Sequence, residues 1–152
     1  MKISLASDHG GLELKNKIAD YLKQLGHTVR DFGTFSTDSC DYPDFARPAA
    51  LAVANGECER GVVVCTTGIG VSMVANKVRG VRCALCVNAD MAKMTRAHNN
   101  ANVIAIGQKY VDFETAKQIV DNFLTTPFEG GRHAQRVDKI ESDTVELVDR
   151  IG

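Results

Sequence analysis

Short β-branched runs alternate with amphipathic stretches along the chain, and no linker or low-complexity segment divides them. Lys2 to Ser7 reads as a first strand. Gly11 to Leu25 places Leu14, Ile18, Leu22 and Leu25 at helical spacing and stops at Gly26. Thr28 to Phe32 reads as a short second strand closed by Gly33. Asp41 is expected to cap a helix with Pro43 in its first turn, running through Ala49, Ala50 and Val53 to Asn55-Gly56. Pro48 sits awkwardly inside that pattern and argues for a later start. Gly61 to Cys65 is the most apolar run and predicts a strand buried on both faces, as central parallel strands are.

A helix through Val71, Val74, Ala75 and Val78 follows it. Val81 to Val87 and Asn102 to Ile106 read as the fourth and fifth strands, separated by a helix over Asp90 to Asn99. Asp112 to Leu124 is a helix with Ala116, Ile119, Val120 and Phe123 on one side. The tail from His133 to Ile151 predicts an extra C-terminal helix with Val137, Ile140, Leu147 and Val148 inward. Five strands alternating with helices define an α/β fold: a doubly wound parallel sheet, flavodoxin- or Rossmann-like, in a three-layer sandwich. One domain spanning residues 1–152 is expected.

Composition narrows this further. With 18 Lys+Arg against 19 Asp+Glu the net charge is −1, which argues against a nucleic-acid or other polyanion partner. Hydrophobic residues at 44% and charged residues at 24% are globular values and exclude a disordered chain. Only Ile3 to Ala6 separate Met1-Lys2 from the polar Ser7-Asp8-His9, so no secretory leader is expected. The longest uncharged stretch, Gly61 to Asn76, is too short and too polar for a membrane span. Five cysteines (Cys40, Cys58, Cys65, Cys83, Cys86) at irregular spacing suit reduced thiols, and the expected location is cytoplasmic.

In a doubly wound sheet, ligands bind beyond the carboxyl ends of the strands. Two such ends carry polar residues: Ser7-Asp8-His9 and Cys65-Thr66-Thr67. The run Cys65-Thr66-Thr67-Gly68-Ile69-Gly70-Val71-Ser72 joins a buried strand to a helix, so its amides and the positive helix end form an anion cradle. That field lowers a thiol's pKa, which makes Cys65 a candidate base or nucleophile; the alternative is an inert core cysteine. A dinucleotide fingerprint fails because Met73 stands at the third glycine position. No Gly-Lys-Ser/Thr triplet exists for a P-loop. A cysteine phosphatase needs an arginine where Val71 stands.

Cys83 and Cys86, three apart on a strand, should point to opposite faces and serve the core rather than zinc. His27, after a helix stop, reads as a solvated turn residue. His98 can act as acid or base, or simply as a cation at a helix C-terminus. Arg132 and Arg136 share a helix face and could clamp a phosphate or carboxylate, or pair with Glu129 or Asp138 in solvent.

Taken together, Ser7-Asp8-His9-Gly10-Gly11, Asp41-Tyr42-Pro43-Asp44, Cys65 to Gly70, Ala75-Asn76-Lys77, His98-Asn99 and Glu129-Gly130-Gly131-Arg132-His133-x-x-Arg136 resemble the B-type ribose-5-phosphate isomerases, nearly end to end. The wider family includes allose-6-phosphate and galactose-6-phosphate isomerases. The resemblance implies aldose–ketose isomerisation through an enediolate, without a metal or other cofactor. It implies a homodimer with a shared active site, with pairing into tetramers left open.

On that basis Cys65 shuttles the proton, with Thr67 close to it, and His98 of the partner subunit opens the sugar ring. The amides of Gly68, Ile69 and Gly70, with Ser72 nearby, stabilise the oxyanion. Asp8, His9, Tyr42, Asn99, Arg132 and Arg136 contact the sugar phosphate. Two positions depart from the family pattern: Thr66 replaces a usual glycine in the cradle, and Lys109 replaces a usual phosphate-binding arginine. Six-carbon sugar phosphates are an alternative substrate class, and a noncatalytic sugar-phosphate or flavin-binding module is an alternative function.

Overall fold

A computed structural model describes residues 1–142. The strands are β1 (Lys2–Ser7), β2 (Thr28–Asp31), β3 (Arg60–Cys65), β4 (Cys83–Leu85) and β5 (Val103–Gly107). The helices are α1 (Leu12–Gln24), α2 (Pro43–Ala54), α3 (Ile69–Asn76), α4 (Ala89–Asn99), α5 (Phe113–Thr125) and α6 (Arg132–Asp138). All strand pairs are parallel, in the order β2-β1-β3-β5-β4. The expected doubly wound sheet is therefore present, with the last two strands exchanged relative to the simplest flavodoxin order.

Right-handed crossovers dictate the layers. The chain moves one way from β1 to β2 and from β4 to β5, and the other way from β2 to β3 and from β3 to β4. Hence α1, α4 and α5 cover one face, and α2 and α3 the other. The first face is large and aliphatic: Ile3, Leu5, Val62, Val64, Ile104 and Ile106 meet Leu14, Ile18, Ile119 and Phe123. The second is thin: Ala6, Val63, Cys65 and Ala105 meet Ala46, Ala49, Ala50 and Ala75. Gly61 sharpens the approach there, because a Cβ would lie 2.8 Å from Ser4 Oγ. Ser4 Oγ in turn donates to the Ala49 carbonyl at 2.9 Å, tying α2 to β1.

Several boundaries differ from the sequence pattern. The second helix starts at Pro43 with Tyr42 as N-cap, and no side chain caps it, so Asp41 does not have that role. Pro48 is accommodated inside the helix, where its missing N–H faces the carbonyl of the exposed Asp44. β4 is only three residues long. It is an edge strand, and its approach is set by Asn102, whose side chain accepts from the Arg82 N–H at 2.8 Å and donates to the Gly80 carbonyl at 2.8 Å. α4 begins one residue earlier than expected, at Ala89, capped by Asn88. Leu25 falls past the end of α1 and is exposed. In the tail, α6 ends at Asp138, Val137 is half-buried and Ile140 is exposed, against the inward placement expected. Leu147 and Val148 lie outside the described residues.

One buried cation anchors the β2 end. Lys15 has no exposed surface; its ammonium donates to Asp31 Oδ1 and Oδ2 at 2.8 and 2.9 Å and to the Thr34 carbonyl at 2.6 Å. Truncating one member of such a pair strands the other. Lys15→Ala is expected to lower unfolding free energy by about 3 kcal/mol, read by urea denaturation.

Candidate active site

Three chain segments meet above the carboxyl edge of the sheet. From β1, Asp8 is buried and accepts the Gly11 N–H at 3.1 Å, capping a 3-10 turn over His9–Gly11. His9 is exposed, and its Nδ1 accepts the Cys40 N–H at 3.2 Å, so the loop after β2 fixes the ring. From β3 comes the cysteine loop. From β5 come Gln108 and Lys109, whose N–H groups donate to the carbonyls of Cys65 and Thr66 at 2.9 Å each.

The cysteine loop turns because Gly68 takes a left-handed conformation (φ 78°), open to glycine at little cost. Its N–H then points back at Cys65 Sγ, 3.1 Å away. Cys65 itself is 5% exposed. Thr67 Oγ1 accepts the Ile69 N–H at 3.2 Å, and Ser72 Oγ donates to the Ile69 carbonyl at 2.6 Å. Ser72 is therefore turned onto its own helix. Gly70 sits in the first turn of α3, where a helix has no internal acceptor for its amides. A Cβ there would lie 2.7 Å from the Tyr42 ring, so Tyr42 packs directly over the helix start. Thr66 does not fill the cradle. Its hydroxyl occupies the space that a Cβ on Gly10 would need, between the β1 and β3 loops.

His98 and Asn99 lie elsewhere. They end α4, at the opposite edge of the sheet, where Arg82 just before β4 donates from Nε to the Asn99 carbonyl at 3.2 Å. There His98 stacks on His133, centroids 4.1 Å apart and 11° from parallel. Glu129 Oε2 stands 3.7 Å from His98 Nε2 and 3.3 Å from His133 Nε2. A cavity of about 390 Å³ is lined by His98, Asn99, His133, Arg136, Val137 and Ile140. Arg132 lies one turn before Arg136, and both are exposed.

The sequence pattern thus yields two separate groups. Asp8, His9, Tyr42, the Cys65 to Ser72 loop and Lys109 share the carboxyl edge. His98, Asn99, Arg132 and Arg136 share the other. His133, part of the Glu129 to Arg136 motif, and Cys40 also border these groups, although neither was singled out as a site residue; the i,i+4 spacing of Glu129 and His133 marked the first, and nothing local marked the second. His27 is half-buried rather than freely solvated, with Nδ1 3.1 Å from the terminal amine. Burial and that amine lower its pKa.

A doubly wound parallel sheet with a glycine-turned cysteine loop at its carboxyl edge places the chain in a class of α/β folds that bind small ligands at that edge, and comparison with known proteins narrows it. Residues 3–140 match the family described as Ribose/Galactose Isomerase. Ribose-5-phosphate isomerase B of Escherichia coli is 45% identical over 139 residues, 91% of this chain and 93% of that one. D-erythrulose-4-phosphate isomerase of Pectobacterium atrosepticum is 43% identical over 141 residues, 92% of this chain and 93% of that one. The solved ribose-5-phosphate isomerase B of Clostridium thermocellum superposes with a TM-score of 0.92 at 51% identity, covering all of both chains. The chain belongs to the ribose/galactose isomerase family and is an aldose–ketose isomerase, which sets aside the noncatalytic reading.

Of the remaining cysteines, Cys58 and Cys86 are buried in the core and Cys83 is half-buried against it. Cys83 packs toward α2 and α3, whereas Cys86 faces α1, α4 and α5, on opposite faces as the spacing required. Burial pushes the Cys86 thiol up to about 12 and moves Cys58 and Cys83 in the same direction. At pH 8 a thiol titrating near 12 is ionised in about one molecule in ten thousand. Iodoacetamide is therefore expected to leave Cys58, Cys83 and Cys86 of the native protein unmodified, as read by peptide mass mapping, and to label them after unfolding.

Proposed function

We propose that the protein interconverts ribose 5-phosphate and ribulose 5-phosphate, with Cys65 as the base and with each active site shared between two subunits. The observation that carries this reading is the Gly68 N–H aimed at Cys65 Sγ at 3.1 Å, beside the open first turn of α3. An amide pointed at the sulfur complements negative charge on it.

The Cys65 thiolate takes the proton from C2 of the open-chain aldose. The C–H electrons form the C1–C2 double bond, and the carbonyl pair moves to O1, giving the enediolate. The thiol then returns the proton to C1, and transfer of the remaining hydroxyl proton from O2 to O1 completes the ketose. Charge develops on the oxygens beside the start of α3, where the Gly70 N–H has no acceptor inside the helix, while the Gly68 and Ile69 amides must leave Cys65 Sγ and Thr67 Oγ1 to meet it; a donor of this kind is typically worth about 3 kcal/mol. Ile69 N–H is held by Thr67, which therefore sets the cradle's shape as well as bordering the proton path. Tyr42 closes the side of the pocket over Gly70.

Ring opening and phosphate binding need the other group. Within one chain His98 lies across the sheet from Cys65, so His98 of the partner subunit supplies the acid or base for ring opening. Arg132, Arg136 and Asn99 of that subunit bind the ligand, the arginines mainly through phosphate. Lys109 adds a point charge without the planar fork of an arginine. No metal or cofactor is called for, since the base and the oxyanion donors are protein groups. A cytoplasmic site of action fits the five free thiols. Among the described residues no helix is long and apolar enough to cross a membrane.

Chain length of the sugar is set by the distance from cradle to phosphate clamp. A four-carbon substrate is favoured by the Pectobacterium relative's name, a six-carbon one by the galactose branch of the family.

In deuterated water, ribose 5-phosphate is expected to yield ketose carrying deuterium, faster than erythrulose 4-phosphate, allose 6-phosphate or galactose 6-phosphate react. A higher kcat/KM on any of those reassigns the substrate. Cys65→Ala and His98→Ala are each expected to lose at least about a hundredfold in kcat. Refolded together in equal amounts, half the dimers are mixed and each holds one intact site, restoring about a quarter of wild-type activity. Failure to complement rejects the shared site.

A further inference from the structure

Among the described residues, one group of three potential metal-ligating side chains converges: His98, Glu129 and His133, with one ligand atom from each within 4.8 Å of the others. The proposed reaction employs His98 and leaves Glu129 and His133 without a task. We propose that these three side chains bind a divalent transition metal of the Zn²⁺ class, and that the bound ion inhibits isomerisation by withdrawing His98 from ring opening. The inhibition rests on the role given to His98 above; the binding does not.

The donor chemistry suits such an ion. Two imidazole nitrogens and a carboxylate oxygen are borderline ligands that favour Zn²⁺, Co²⁺ or Ni²⁺ over Mg²⁺ or Ca²⁺. At metal–ligand distances near 2.1 Å, two donors of a tetrahedral site stand roughly 3.4 Å apart. Glu129 Oε2 already lies 3.3 Å from His133 Nε2 and 3.7 Å from His98 Nε2.

The backbone holds the three together. Glu129 N–H donates to the Ala97 carbonyl at 3.0 Å, which fixes the turn against the last turn of α4. Gly130 and Gly131 both take positive φ (66° and 56°), folding the chain so that His133, in the first turn of α6, stands beside Glu129. His133 N–H donates back to the Gly130 carbonyl at 3.0 Å, and the residue is 8% exposed. His98 is half-buried and borders the adjacent cavity, so its ring has room to rotate about χ2, a soft torsion, and break the parallel stack to aim at one ion. The same cavity leaves a fourth position for water or a substrate oxygen. Arg136 lines it as well and repels a cation, so the ion is expected to be removable by a chelator.

The test uses the intact protein. Titration calorimetry with Zn²⁺ and visible absorption with Co²⁺ are expected to show one ion per chain, without a thiolate charge-transfer band. Binding should weaken at least tenfold in both Glu129→Gln and His133→Ala. Glu129 is exposed, so its variant keeps the test readable if His133→Ala fails to fold. Zn²⁺ should inhibit turnover of wild type, EDTA should reverse it, and Glu129→Gln should need at least tenfold more Zn²⁺ for the same fractional loss. No saturable binding at millimolar metal, or unchanged binding in Glu129→Gln, overturns the site; the latter would place the ion on Cys40 and His9 or on Cys65. Saturable binding that leaves turnover intact overturns the inhibition alone. A wild type that binds the metal yet isomerises no sugar phosphate instead sinks the reading of His98.

Discussion

The backbone of Thr67 passes directly against Gly107, and most of the site follows from that contact. A Cβ on Gly107 would overlap the Thr67 carbonyl, so only glycine lets the loop after β3 lie on the end of β5. Gly68 faces the same constraint from the other side, where a Cβ would meet the Gly107 N at 2.9 Å and Leu85 Cδ1 at 2.6 Å. With the loop pressed down in this way, the carbonyls of Cys65 and Thr66 take the Gln108 and Lys109 amides, and the Gly68 N–H is turned onto the sulfur. A loop free to rise would lose all three bonds at once.

The two faces of the sheet divide labour. The face under α1, α4 and α5 is lined by large aliphatic side chains that bury apolar surface. The alanine-rich face under α2 and α3 supplies closeness instead. Small residues bring α2 near β1 and β3, and they bring the loop that precedes it, with Tyr42, over the start of α3. The buried Lys15 and Asp31 pair fixes the other end of that loop. Rigidity around the cysteine thus comes from backbone proximity more than from side-chain bulk.

The chemistry-bearing residues fall on two opposite edges of one sheet. Because α4 returns antiparallel to its strand, its C-terminal His98 must end at the amino edge, while Cys65 ends β3 at the carboxyl edge. No side-chain rotation bridges that distance. The proposed function unites them through a second copy of the chain.

The number and order of elements, the buried β3, the glycine-turned cysteine loop and the opposed Cys83 and Cys86 were all legible in the sequence, because periodicity and glycine placement act locally. The start of α2, the three-residue β4 and the exposed Ile140 were not. A helix start depends on whether a cap forms, and Tyr42 packs on Gly70 while Asp41 makes no cap; an edge strand's length depends on what its single neighbour offers. The sequence named both Cys65 and His98, and the resemblance assigned His98 to a partner subunit, but it did not show which edge of the sheet each occupies. Strand order and crossover hand decide which edge a helix end reaches, and those are properties of the assembled sheet, invisible to any spacing along the chain.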